Sequence, residues 1–458
     1  MNTTLIGIFA YILLQLLVGV LVSKRIASED DYLLAGRRLG LGLGTFTVFA
    51  TWFGAETCIG AAGAVYRTGL SGGSADPFGY AACLLLMGVL FAVPLWRMRL
   101  TTLADLFRLR YSPRVEKLVV LMVAPTSIMW AGAQIRAFGQ IISASSQFQV
   151  DAAITLAAGV VIVYTVYGGL LADVVTDLVQ GVALILGLVV LFVVVMQAQG
   201  GVSAAFAALE PARLNPLEGN GRSLMEVLEA WAIPVTGSLF AQELVARIVA
   251  SRSPQVASLS SVAGGAVYLL VGLIPVALGL VGFQMMPELQ EPEQILPLLA
   301  QKHLGSDLYI LFAGALISAI LSTVDSALLA ASALVSHNVV LPLARDVSEA
   351  GKVRIARYCV VLFGLVAYSL ALVSEGVHEL VEQASAFGGA GVFVVVLFAL
   401  TTRVGDSVCA TGALIAGVTA WHLGRYALSL ETPYLFSMAL SAATYLVLLA
   451  RGPIFKSS

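Results

Sequence analysis

A chain of 458 residues with 59% hydrophobic and only 11% charged side chains cannot clothe a soluble surface, for which about a quarter of the residues are charged. Its formal net charge of -2 comes with no basic stripe or binding module, so nucleic acid is not an expected partner. The apolar runs are continuous rather than alternating, which predicts an all-α integral membrane protein and not a barrel, and ~20 residues per span allow about thirteen crossings.

Residues 3–23 read as a leading helix rather than a secretory signal, because there is no basic n-region and no small-residue cleavage site before Ser23-Lys24-Arg25. Further spans are predicted at 41–66, 75–96, 116–145, 152–171, 173–198, 226–249, 257–284, 306–340, 355–374, 379–401, 406–424 and 433–450. An N-terminus outside and a C-terminus in the cytoplasm put Arg37, Arg38, Arg97, Arg99, Arg108, Arg110, Arg252, Arg354 and Arg403 on the inner side, as the positive-inside rule asks of a bacterial-type inner membrane. Residues 99–117, with Leu103, Phe107 and Leu109 among arginines, read as an amphipathic helix lying on that face. Two polar stretches, 200–223 and 287–307, fall outside, and Ile295 to Ala300 in the second can form a short capping helix. Cys58, Cys83, Cys359 and Cys409 are widely spaced in apolar runs and read as buried thiols. His303, His337, His378 and His422 are isolated, and no Ser-His dyad or His/carboxylate metal motif suggests an enzyme.

Three interior regions break the apolar pattern at a cost that calls for a reason. In Phe49-Ala50-Thr51-Trp52-Phe53-Gly54-Ala55-Glu56-Thr57, a carboxylate amid glycines suggests an interrupted helix whose freed carbonyls coordinate a cation; packing of small residues is the alternative. In the stretch from Ala319 to Ser326, Ala319, Ser322, Thr323 and Ser326 share one helical face beside Asp325. Their hydroxyls either serve a monovalent ion or bond back to the preceding turn. Gly168-Gly169 supplies a tight turn between antiparallel spans, and Asp177 begins the next one.

Together with Tyr32 to Gly40, Tyr164 to Gln180 and Gln242 five residues before Arg247, these pieces resemble the sodium:solute symporter family over nearly the whole chain. That resemblance implies a LeuT-like fold: a leading helix, two five-helix inverted repeats (41–198 and 226–401) and two trailing helices (406–450). It implies a sodium site of Ala50, Phe53, Ala319, Ser322 and Thr323, and a second ion near Asp177, Asp325 and Ser326. Within the family the chain looks closest to high-affinity choline transporters, with Trp52, Tyr80 and Trp130 at positions of their aromatic cage. Their tryptophan on the seventh helix corresponds to Ala241, however, and the tyrosine gate of sugar-transporting members to Gly237. Glu56, Gln242 and Glu243 complete the candidate solute-binding set, the two acids suiting an amine, with neutralisation of Arg136 or Arg247 as the alternative for Glu243. The expected function is sodium-coupled import of a small organic solute, with sodium, the solute and the lipid bilayer as partners and no obligatory protein partner. The alternative is a solute sensor that signals through a separate protein, since no output domain is expected after the last helix.

Overall fold

The computed structural model describes residues 26–451 apart from 145, 147, 217–222, 345, 375 and 388, together with residues 10, 13, 14, 17, 21, 22 and 24. The leading helix expected over 3–23 therefore falls largely outside the described residues. Among them there is no strand, only an isolated parallel bridge between Leu39 and Ser251.

The first described span is broken: α1 (Leu41–Trp52) and α2 (Glu56–Gly73) meet at 58°. Phe53 leaves helical geometry (φ -87°, ψ 67°), and the N–H of Ala55 donates instead to Gln134 Oε1 at 2.8 Å. A Cβ on Gly54 would come within 2.6 Å of Thr323 Oγ1, so glycine lets the break approach the helix behind it. α3 (Ala75–Arg97) follows, then the short α4 (Leu103–Arg110), begun by a Thr102/Asp105 capping box. α4 buries Leu103, Leu106 and Phe107 as an amphipathic helix should, but Leu109 is 63% exposed. At about 100° per residue it lies on the far side from Leu103 and Phe107, which corrects the sequence expectation for that residue.

Beyond α5 (Pro113–Ala144) comes α6 (Val150–Ala198), whose 49 residues would reach about twice across a ~30 Å hydrocarbon core if straight. It is not straight. Gly169 holds φ 59°, ψ 173°, and Tyr164 OH lies 2.6 Å from Thr176 Oγ1, residues that a straight helix would hold ~18 Å apart along its axis. α6 is thus two antiparallel passes joined at the predicted glycine turn.

α7 (Leu224–Gly237) and α8 (Gln242–Ala250) form a second bent pair, at 43°, where the sequence predicts one unbroken span. At the end of α7, Gly237 packs so closely on the backbone of Ser385 that a Cβ would collide with its carbonyl oxygen. α9 (Pro254–Met285), capped by Ser253 and opened by Pro254, lies against α1, α2 and α3. Its Gly264 approaches Val48 of α1, and its Ser261 hydroxyl donates to Leu84 O of α3 at 2.7 Å, the small-residue contact typical of membrane helices. The capping helix is present as α10 (Ile295–His303), and the turn just before it, at Glu293, presses on Gly63 of α2. Then come α11 (Ser306–Val335), packed on α5 and α6, and α12 (Glu349–Val373). α13 (Leu380–Thr401), α14 (Ser407–Ala427) and α15 (Pro433–Ala450) close the bundle.

Nine described helices are individually long and apolar enough to span, and the two bent pairs raise this to eleven. The turn in α6 makes twelve, each matching a span predicted after the leading helix.

Candidate ion and solute site

The break in α1–α2 turns backbone oxygens toward α11. Thr323 Oγ1 donates to Ala319 O at 3.1 Å and lies 3.4 Å from Ala50 O, while Phe53 is the residue at which α1 ends. Ala50, Ala319 and Thr323 are thereby brought together, and they and Phe53 are all 3% exposed or less. Ser322 is the neighbouring hydroxyl but turns away, donating to Asp177 Oδ1. Gln134, which the sequence reading passed over, braces the break with its side-chain oxygen, and its Nε2 is buried without an acceptor.

One layer toward α6, Asp173, Asp177 and Asp325 are all fully buried beside a single guanidinium, that of Arg247. Arg247 Nη2 lies 2.5 Å from Asp173 Oδ2 and 4.0 Å from Asp177 Oδ2, and it also donates to Ser326. Its Nε donates to the Thr47 hydroxyl at 3.2 Å, and Thr47 donates to Asp177 at 2.6 Å. Neither oxygen of Asp325 has a hydrogen bond of ordinary geometry, although the Thr165 hydroxyl and the Asp173 carboxyl adjoin it. The three acids do not converge on one point, and no cluster of three His, Cys, Asp or Glu among the described residues could hold a metal by itself. Asp173 and Arg247 stand outside the residues chosen from the sequence. Asp173 precedes Asp177 by one helical turn, so the i, i+4 rule was its available signal.

On the other side of the break, Trp52, Tyr80 and Trp130 come together: Trp130 lies 6.4 Å from Trp52 and 5.9 Å from Tyr80 between ring centroids. Tyr80 OH is 3.3 Å from Glu56 Oε1 and 3.2 Å from Ser385 Oγ, and the Trp52 indole N–H has no acceptor. Glu56 and Tyr80 line a cavity of about 390 Å³ that runs past Arg67 and Glu382 to Glu226 and Glu431 at helix ends. Glu243 shares a smaller cavity, about 30 Å³, with Trp130, Ser127 and Ser385. Gln242 is not brought to the rings; its side-chain oxygen accepts the N–H of Leu103 at 2.7 Å and anchors α4.

The arginine-bearing face is tied shut around α8. Leu39 N–H donates to Ala250 O, Arg252 N–H to Leu39 O, and the Trp96 indole to Ser251 O at 2.6 Å. At the opposite end a second cavity, about 740 Å³, lies between α10 and Arg136 of α5. Among the described residues, then, Glu56 and Tyr80 of the aromatic group line the cavity that runs toward Glu226 and Glu431. Near the closed face Asp105 binds the backbone N–H groups of Thr101 and Thr102. Burial works to raise its carboxyl, but the His337 ring and those N–H groups outweigh it and hold it down to about 2.

The profile of the sodium:solute symporter family matches residues 32–419. The chain belongs to this family. It is 27% identical to high-affinity choline transporter 1 of Drosophila melanogaster over 83% of its own length, spanning 64% of that protein. Against the sodium/proline symporter of Staphylococcus aureus it is 26% identical over 91% of itself and 86% of the other. Its fold matches that of a Na+-coupled sialic acid symporter in a substrate-bound outward-open state, with a TM-score of 0.88, 18% identity and 99% of each chain covered. Such a likeness places this symporter-family chain in the inverted-repeat transporter fold and says nothing of its solute.

Proposed function

We propose that this chain is a sodium-coupled symporter that carries a small amine- or amino-acid-like solute inward by alternating access. One observation carries the reading: Ala50 O, Ala319 O and the Thr323 hydroxyl meet at a helix break, two residues from a ring of the aromatic group. Broken helices offer carbonyl oxygens to cations near the midplane. A sodium ion held by the carbonyls of Ala50, Phe53 and Ala319 and the hydroxyls of Ser322 and Thr323 fixes α11 against the break and so orients Trp52. A second cation is assigned to Asp177, Asp325 and Ser326, with Asp173 and Arg247 setting the local charge. Three ring faces with Glu56 beside them suit an ammonium, and the likeness to transporters named for choline and proline supports a solute with a cationic nitrogen. The helix breaks at α1–α2 and α7–α8 open the proposed repeats, 41–198 and 226–401. The arginine-bearing face is assigned to the cytoplasm of a bacterial-type plasma membrane, with the N-terminus outside.

The test is the double substitution Ser322→Ala with Thr323→Ala. Sodium-dependent uptake should vanish while the protein remains folded and inserted, because two small apolar residues pack where the hydroxyls did but offer the ion no oxygen. Undiminished uptake at low sodium would remove these residues from the ion site.

A further inference from the structure

Where α2 crosses α3 and α9, a second carboxyl lies close to Glu56. Asp76 is 3% exposed and sits in a turn that departs from helical geometry (φ -135°, ψ 125°). Its Oδ2 lies 2.8 Å from the Thr57 hydroxyl and its Oδ1 2.7 Å from the Tyr268 hydroxyl. Those two hydroxyl oxygens are themselves 2.7 Å apart. Thr57 and Tyr268 are fully buried, and Gly272 of α9 lets the turn press in, since a Cβ there would come within 2.5 Å of Pro77 Cβ.

Oxygens this close need a hydrogen between them. Three contacts need three hydrogens, and Thr57 and Tyr268 bring one each. An ionised Asp76 only accepts, so it leaves one contact with lone pairs facing each other at a separation, 2.7 to 2.8 Å, too short for a water to stand between them, which is costly. A proton on Asp76 closes the ring: one Asp76 oxygen donates to Thr57, Thr57 to Tyr268, and Tyr268 back to the other Asp76 oxygen. The other titratable groups around the ring are Glu56 and Cys58 on α2, Tyr80 on α3 and Tyr268 itself on α9. None supplies a positive charge, and among the described residues neither Asp76 nor Glu56 belongs to an ion pair.

We propose that Asp76 is held as the neutral acid in this cyclic network, where it fixes Thr57 beside Glu56 and adds no negative charge of its own next to a cationic solute. The proposal rests on the amine reading for the solute but not for the proton. Asp76 is a positioning residue: Thr57, the residue next to Glu56, is what it holds.

The experiment is infrared spectroscopy of the purified full-length protein in deuterated buffer at neutral pH with no solute added. A carbonyl-stretch band of a protonated carboxylic acid is expected in the wild type, lost in Asp76→Asn and kept in Glu56→Gln. In Tyr268→Phe, which serves also if the asparagine variant does not fold, that band should move to higher frequency or disappear, because the one contact left is satisfied by the Thr57 hydrogen alone. A band that survives Asp76→Asn, disappears in Glu56→Gln, or stays unshifted in Tyr268→Phe overturns the assignment. Because this readout needs no transport, a wrong solute class leaves it intact, and a missing band leaves the sodium site untouched.

Discussion

Trp52 stands two residues from Ala50, whose carbonyl lies 3.4 Å from Thr323 Oγ1, and its ring centroid is 6.4 Å from that of Trp130, so in the proposed reading one short piece of backbone joins the ion to the solute. If the solute carries an ammonium, Trp52→Phe should weaken its affinity modestly and Trp52→Leu more, since a ring face contributes ~0.5 to 2 kcal/mol to a nearby cation and an aliphatic chain none of that. Competition against sodium-dependent uptake at equal expression measures this, and equal affinities for all three proteins would take Trp52 out of the solute site. Asp325 makes a separate case, because its oxygens lack hydrogen bonds of ordinary geometry while Asp173 and Asp177 share Arg247. Asp325→Asn should therefore lower the steepness of uptake against sodium concentration by removing charge from the second ion site alone; an unaltered steepness with normal transport leaves one ion. At this scale the hydroxyl pair is legible from local spacing, while the three aromatic residues group only through the family resemblance. The sequence does not carry Asp173, Asp76 or Gln134, whose meaning lies in partners 74 to 192 positions away.

Helices end or bend here for reasons of two kinds, and only one is written locally. The turn in α6 belongs to the first: Gly168-Gly169 announces it, and Gly169 sits at φ 59°, ψ 173°, a region open essentially to glycine. Gly169→Ala should cost about 1 to 3 kcal/mol in backbone strain, and more because the new Cβ would lie 2.6 Å from the Tyr32 ring. Thermal unfolding in detergent should show the loss, with Tyr32→Leu restoring only the steric part; an alanine variant as stable as the wild type would mean that the fold-back is not held at this residue. The bend between α7 and α8 belongs to the second kind. Residues 226 to 249 are predicted as one span although they hold Pro234 and Gly237, and the close packing of Ser385 on Gly237 comes from 148 positions away. Leu109 on α4 fails for a related reason, since a cluster of apolar and basic residues gives an amphipathic helix without fixing which of its leucines faces the bundle.

Across the whole molecule, the ties between Leu39, Trp96 and the end of α8 close one face, while the cavity that Glu56 and Tyr80 line runs toward Glu226 and Glu431. That asymmetry is what an alternating-access cycle requires of one of its end states, and an ion that binds this state better than its counterpart must populate it. Ala64 lines the cavity on α2, and Cys58, Cys83, Cys359 and Cys409 are all buried, so a single Ala64→Cys substitution reports on a quiet background. A membrane-impermeant thiol reagent applied from outside should label it faster in sodium than in potassium, because sodium at Ala50, Ala319 and Thr323 stabilises the state in which that cavity is open. Adding the transported solute in sodium should then slow labelling by filling the cavity that Ala64, Glu56 and Tyr80 line. Since coupling between two ligands is reciprocal, the factor by which sodium tightens solute binding must equal the factor by which solute tightens sodium binding, and both can be read from the same labelling rates. Equal rates in sodium and potassium would mean that the ion does not select between the two faces, which would leave the helix break as architecture and take away the reason to call the chain a coupled transporter.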